Sequence, residues 1–108
     1  MSVSYDYYKV FYRVVESGNM TVAAKELYLA QSTVSRTIQQ LEHKLGCKLL
    51  VRSTKGVKLT DEGQLLYHHL KAAFEHIQAA EERLANIRRL NEGVLRIGAS
   101  ELTLEFYL

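Results

Sequence analysis

Apolar residues recur at helical spacing over the first 45 positions of the chain, in three separate blocks. Tyr8, Phe11, Tyr12 and Val15 fall at i, i+3, i+4 and i+7, one buried stripe of a helix, and Tyr7, Val10 and Val14 widen it. This predicts a first helix over about 5–17, stopped by Ser17-Gly18-Asn19. A second, short helix fits 21–28, with Thr21 as its cap and Ala23, Ala24 and Leu27 facing inward. Two adjacent alanines imply a close approach by another helix, since bulkier side chains would hold the backbones apart. Leu29-Ala30-Gln31 is then a very short connection to a third helix, from about Ser32 to Leu45. Its apolar stripe is Val34, Ile38, Leu41 and Leu45, and Gly46 is its stop.

Beyond Gly46 the period changes. Lys48-Leu49-Leu50-Val51-Arg52 and Gly56-Val57-Lys58-Leu59 are two short β-like runs, with turn residues Ser53-Thr54-Lys55-Gly56 between them, so a small hairpin is expected. Thr60-Asp61-Glu62-Gly63 then opens a long helix, with threonine as cap and two acids in its positive first turn. Nothing breaks the pattern until about Leu90, a helix of roughly 45 Å at ~1.5 Å per residue. Leu66, Leu70, Ala73, Ile77, Ala80, Leu84 and Ile87 step alternately by four and three, a heptad seam, with Tyr67 and Phe74 beside it. A lone helix cannot bury such a seam, and the simplest partner is a second copy of the chain. Asn91-Glu92-Gly93 is expected to end this helix. Val94-Leu95-Arg96-Ile97-Gly98-Ala99-Ser100 reads as a strand, and Glu101 to Leu108 as the start of another helix.

The polar positions sharpen the picture. Away from its apolar stripe the third helix presents Ser32, Thr33, Ser35, Arg36, Gln39 and Gln40: short, hydrogen-bonding side chains, one arginine and no acid. A helix exposed only to water tends instead to mix Glu and Lys. The net charge of +2 hides an asymmetry: residues 1–60 carry nine basic and four acidic groups, whereas residues 61–108 carry five and eight. Lys44 to Lys58 holds five lysines or arginines and no acid, which suits a polyanionic partner. Three helices followed by a basic hairpin is the layout of a winged helix-turn-helix domain. The expected fold class is therefore mainly α: a winged helix-turn-helix followed by a long dimerisation helix.

Other function classes are disfavoured. A single cysteine, Cys47, excludes an internal disulfide and a cysteine-rich zinc site, and reads as a reduced, partly buried thiol. No phosphate-cradling glycine loop is present. His68, His69 and His76 lie on the long helix, but adjacent histidines point about 100° apart. Neither Glu62 nor Glu75 completes a ligand set, so no metal site and no enzyme is expected. No apolar run approaches the ~20 residues of a membrane helix. The first residues lack the layout of a secretory signal, so a cytoplasmic address is expected. A winged helix used for protein docking would carry acidic or apolar residues on the outer face of helix three, which is not what stands there. A regulator of the multiple-antibiotic-resistance type normally has dimer helices on both sides of its reading head, whereas here helix one is short and begins almost at the terminus.

The run Gly18-Asn-Met-Thr-Val-Ala-Ala-Lys-Glu-Leu, then Gln31-Ser-Thr-Val-Ser-Arg-Thr-Ile-Gln-Gln-Leu-Glu, then Lys44-Leu-Gly, closely resembles the LysR-type transcriptional regulators. So do Leu50-Val-Arg52, Leu59-Thr-Asp-Glu-Gly63 and Val94-Leu-Arg-Ile-Gly-Ala. The resemblance covers essentially the whole chain in order. It implies a DNA-binding domain over 1–60 (helix-turn-helix about 20–39, wing about 48–59), a linker helix over 61–91 and the start of an effector-binding α/β domain over 92–108. It further implies a linker helix paired antiparallel with its twin, tetramers in full-length members, and a small-molecule effector bound by the following domain; no cofactor is expected within these residues. Two positions depart from the family: Ser32 stands where proline is common, and Val51 where phenylalanine is. Ser32 gains the chance of a cap or a phosphate hydrogen bond, and Val51 should fill less volume under the wing.

The expected partner is double-stranded promoter DNA. Gln31, Ser32, Thr33, Ser35, Arg36 and Gln39 lie toward the start of the third helix, the part that reaches deepest into a major groove. Arg36 suits a bidentate pair with guanine and a glutamine one with adenine, while Thr33 offers a methyl to thymine or a hydroxyl to phosphate. By the resemblance, Arg52 is the wing arginine inserted in the minor groove, and Lys55 and Lys58 meet phosphates. Leu66, Leu70, Ala73, Ile77, Ala80, Leu84 and Ile87 are the expected homodimer seam.

Overall fold

The computed structural model describes residues 3–97, with side chains as far as Glu92. The described residues fall into two compact units that divide between Lys71 and Ala72. In the first, helices α1 (Tyr5–Ser17), α2 (Met20–Leu27) and α3 (Gln31–Leu45) precede a hairpin of β1 (Leu50–Ser53) and β2 (Gly56–Leu59), and α4 (Asp61–Ile97) follows. This is the expected winged helix-turn-helix order with a long C-terminal helix. Helix α1 packs on both α2 and α3, α2 packs on α3, and β2 lies against α1.

The core of this unit is Val10, Phe11 and Val14 from α1, Met20, Ala23 and Ala24 from α2, Val34, Ile38 and Leu41 from α3, Leu49 and Leu50 where the wing begins, and Leu70 from α4. The alanine pair of α2 is buried, as its small volume requires. In α1 the buried stripe is centred on Val10, Phe11 and Val14, and the tyrosines on either side stay half-buried. Their hydroxyls need polar partners, so they sit at the rim of the core. Tyr7 illustrates this: its hydroxyl donates to Oε1 of Gln40 at 3.2 Å.

Helix α2 departs from its expected start. Asn19 caps it: its Oδ1 accepts from the Thr21 and Val22 amides at 2.7 and 3.1 Å. Asparagine outranks threonine as a cap, and here it stands one residue before the helix begins. Tyr28 is not helical but forms the left-handed C-cap (φ 58), the only non-glycine among the described residues with positive φ. That residue turns the chain from α2 toward α3 within three positions. The wing is also tighter than expected. Ser53 pairs with Gly56, leaving Thr54 and Lys55 as the turn. Neither has a positive φ; the left-handed residue comes one position later, at Gly56 (φ 121).

Thr60 joins wing to α4. Its amide donates to the Leu49 carbonyl at 3.0 Å, and its hydroxyl donates to the Lys48 carbonyl at 2.6 Å and accepts from the Gly63 amide at 3.0 Å. The expected cap is thus present, and it also fastens the helix start to the segment before β1. Gly63 permits the approach, because a Cβ there would lie 2.1 Å from the Leu49 carbonyl oxygen.

Helix α4 runs through Asn91-Glu92-Gly93 to Ile97. The expected stop at 91–93 and the strand from Val94 to Ile97 are therefore corrected; residues 98–108, with the rest of that strand and the final helix, lie outside the described residues. Asn and Gly only weaken a helix interior, by up to ~1 kcal/mol, whereas a strand needs a partner strand for its hydrogen bonds. Replacing Gly63 by Ala is expected to lower stability by about 1–3 kcal/mol through overpacking, seen as a reduced melting temperature with helical content retained.

Candidate nucleic-acid interface

The exposed face of α3 begins immediately after the turn at Tyr28. Gln31, Ser32, Arg36 and Gln39 are exposed, while Thr33 and Ser35 are half-buried. Ala30 is the N-cap and supplies no side-chain hydrogen bond, and of the two roles open to Ser32, cap or phosphate donor, the cap is not formed; the first turn is closed instead by the Thr33 and Val34 amides on the Ala30 carbonyl at 3.0 and 3.1 Å. The uncapped amides at this end leave a positive helix terminus beside the polar residues.

Several of these side chains are held by neighbours. The Thr21 hydroxyl of α2 donates to Oε1 of Gln31 at 3.2 Å. Arg52 of β1 donates from Nη2 to the Ser35 hydroxyl oxygen. The structure therefore brings Arg52 of the hairpin onto α3. Lys55 sits at the exposed tip of the hairpin turn and Lys58 is exposed on β2. Gln40 is taken up by Tyr7, whose ring also lies 5.9 Å from the Lys44 ammonium.

The electrostatics of this face depend on one inward turn. Glu42 is the only acid in α3, and it is buried to 9% exposure. Its Oε2 accepts from the Leu49 and Leu50 amides at 2.7 and 3.2 Å, and the Lys48 ammonium lies 3.7 Å from Oε1. The outer surface of α3 is consequently free of negative charge. Sequence reasoning missed Glu42. Its signal was positional: it stands four residues after Ile38 and three before Leu45, inside the apolar stripe, where an acid needs donors.

The wing is held from its other side as well. The Val57 amide donates to the Gly18 carbonyl at 3.3 Å, and a Cβ on Gly56 would lie 2.6 Å from that oxygen. Val51, 54% exposed, does not pack beneath the wing; it lines a cleft of about 410 Å³ with Ile38, Gln39 and Leu50.

The expected dimer seam divides. Leu70 is buried and Leu66 half-buried within the first unit, where Tyr67 stacks on Tyr12 at 5.5 Å between ring centroids and donates to Glu16. Along the rest of the helix Ala73, Ile77, Ala80 and Leu84 are exposed and Ile87 is half-buried. The rings of His68 and His69 meet edge-on, 5.6 Å apart. Among the described residues no group of three or more His, Cys, Asp or Glu is placed to hold a metal ion, and no helix is long and apolar enough to cross a membrane. Cys47 is a half-buried free thiol.

With this geometry in hand, comparison with known proteins is specific. The family model described as "Bacterial regulatory helix-turn-helix protein, lysR family" matches residues 5–64. The HTH-type transcriptional regulator CrgA of Neisseria meningitidis serogroup C is 38% identical over 91 residues, 84% of this chain and 30% of that protein. Two solved structures share the fold: the CbnR_DBD-DNA complex (TM-score 0.67, 33% identity, 78% of this chain and 97% of that one) and the BenM_DBD/catB site 1 DNA complex (TM-score 0.64, 35% identity, 77% and 97%). The chain thus spans about 30% of the length of the curated relatives it matches.

Loss of the Glu42 carboxylate in Glu42→Ala is expected to strand two buried amides, at about 1–3 kcal/mol each. Urea denaturation should register the destabilisation, and hydrogen exchange should quicken first at Leu49 and Leu50.

Proposed function

The chain belongs to the lysR family of bacterial regulatory helix-turn-helix proteins, and from that premise we propose that it binds promoter DNA sequence-specifically, as the reading head of a transcriptional regulator. The observation that carries this reading is the exposed face of α3, acid-free because Glu42 is buried and bonded. A major groove admits such a helix, and its polar residues match the donor and acceptor edges of bases. Arg36 reads guanine through its forked donors, and Gln31 and Gln39 read base edges beside it. Ser32, Thr33 and Ser35 supply hydroxyls to phosphates or bases. The wing, with Arg52 and Lys55, lies along the adjacent minor groove. That solved relatives with this fold are complexes with DNA supports the assignment.

The protein acts as a homodimer in this reading, through the exposed Ala73, Ile77, Ala80 and Leu84 of α4 with Ile87 beyond them. These keep the heptad spacing that a partner helix would cover. Regulation of transcription, assembly to a tetramer and response to a small-molecule effector belong to the longer protein. None of these roles is enzymatic.

Two substitutions separate base reading from simple attraction. Arg36→Ala is expected to cost ~1–3 kcal/mol on a duplex selected from a random pool and little on scrambled DNA, by fluorescence anisotropy. An equal loss on both would refute base reading. Lys55→Ala should weaken binding to both duplexes alike and reduce the slope of log affinity against log salt by about 1. An unchanged slope would remove Lys55 from the interface.

A further inference from the structure

Wing and reading helix meet through two polar bridges. At the inner end the Glu42 carboxylate accepts from the Leu49 and Leu50 amides. At the outer end Arg52 donates to the Ser35 hydroxyl oxygen. Ser35 and Glu42 stand seven residues apart on α3, two turns and hence one face. Glu42 meets the start of β1 through main-chain amides, and Ser35 meets its middle through the Arg52 side chain. Between the bridges lies the cleft of about 410 Å³, so apolar packing does not fasten the outer half of β1 to α3. On this side of the wing, the position of the outer half rests on the Arg52–Ser35 bond.

We propose that Ser35 and Arg52 form one coupled DNA-reading unit, in which their bond sets the wing against α3 so that the contacts made in the two grooves are fixed together. This rests on the DNA-binding reading above. The chemistry of the pair allows both members to face DNA while joined. The Ser35 oxygen accepts from Arg52, which leaves its own hydrogen for a phosphate oxygen or a base acceptor. Arg52 uses one of five guanidinium N–H donors here and keeps the others for the groove. Ser35 thus acts on the minor groove through Arg52, as a positioning residue, besides any contact of its own.

A double-mutant cycle on DNA affinity tests the coupling, with a duplex that the wild-type protein selects from a random pool. Ser35→Ala and Arg52→Ala are each expected to weaken binding roughly tenfold, and the double variant by about the same tenfold rather than a hundredfold. Ser35→Thr keeps the hydroxyl and should stay within about threefold of wild type. Repeating the selection with Ser35→Ala should blur base preference under the wing as well as under the helix, an effect that a merely structural serine would not produce. Single losses that multiply in the double variant, or wing preferences unchanged by Ser35→Ala, would overturn the coupling and leave the DNA-binding reading intact. A wild-type protein that selects no sequence would overturn both. Ser35 is half-buried and Arg52 exposed, so all variants are expected to fold, with circular dichroism melting as the check.

Discussion

An acid inside an apolar stripe is costly unless donors surround it, and the last turn of a helix, with its negative dipole end, makes the cost greater. Glu42 meets both conditions and answers both with backbone amides. Its carboxylate accepts from Leu49 and Leu50, and its main-chain carbonyl accepts from Gly46 and Cys47 at 2.8 and 3.2 Å. One residue therefore receives four N–H groups from the five positions that lead from α3 into β1. The sharp exit from α3, the burial of Leu49 and the start of the wing all follow from that arrangement. The charge pattern of the exposed face of α3 follows as well, since the same turn inward removes the one acid of α3 from it.

The junction with α4 repeats the strategy. The Leu49 carbonyl, in the segment that Glu42 anchors, is met by the Thr60 amide, and the neighbouring Lys48 carbonyl by the Thr60 hydroxyl. Gly63 lets α4 come close enough for this to happen. Gly18 does the corresponding work on the far side, ending α1 in a left-handed turn and offering its carbonyl to Val57. Helix, wing and linker thus converge on main-chain atoms, and a small core suffices because the elements around it are fastened by directional bonds as well as by apolar contact.

Much of this was legible in the sequence. Apolar periodicity gave the three helices of the head to within a residue or two, since each has one side in a common core and Gly18 and Gly46 end two of them. Thr60 and the acids after it marked the start of α4. The errors share a physical origin. Asn19 and Thr21 are both good caps two positions apart, and only the backbone path chooses between them. The continuation of α4 past Gly93 reflects a choice between helix and strand that depends on what lies alongside, which local pattern does not encode. In the candidate interface, spacing picked out the polar face of α3. The links from Thr21 to Gln31 and from Arg52 to Ser35 join residues 10 and 17 positions apart, and no periodicity relates those. Leu70 fitted a heptad seam, yet it is already buried in the chain's own first unit.

Because Glu42 grips the amide hydrogens of Leu49 and Leu50, its anchor is indifferent to which residues occupy β1 beyond Leu50 and the turn that follows. Val51, Arg52, Ser53, Thr54 and Lys55 are all exposed, and exchanging any of them leaves that anchor in place. The wing is in this respect a replaceable fitting on a fixed mount. Variation at these outward positions changes the chemistry the wing presents without disturbing the main-chain bonds that mount it.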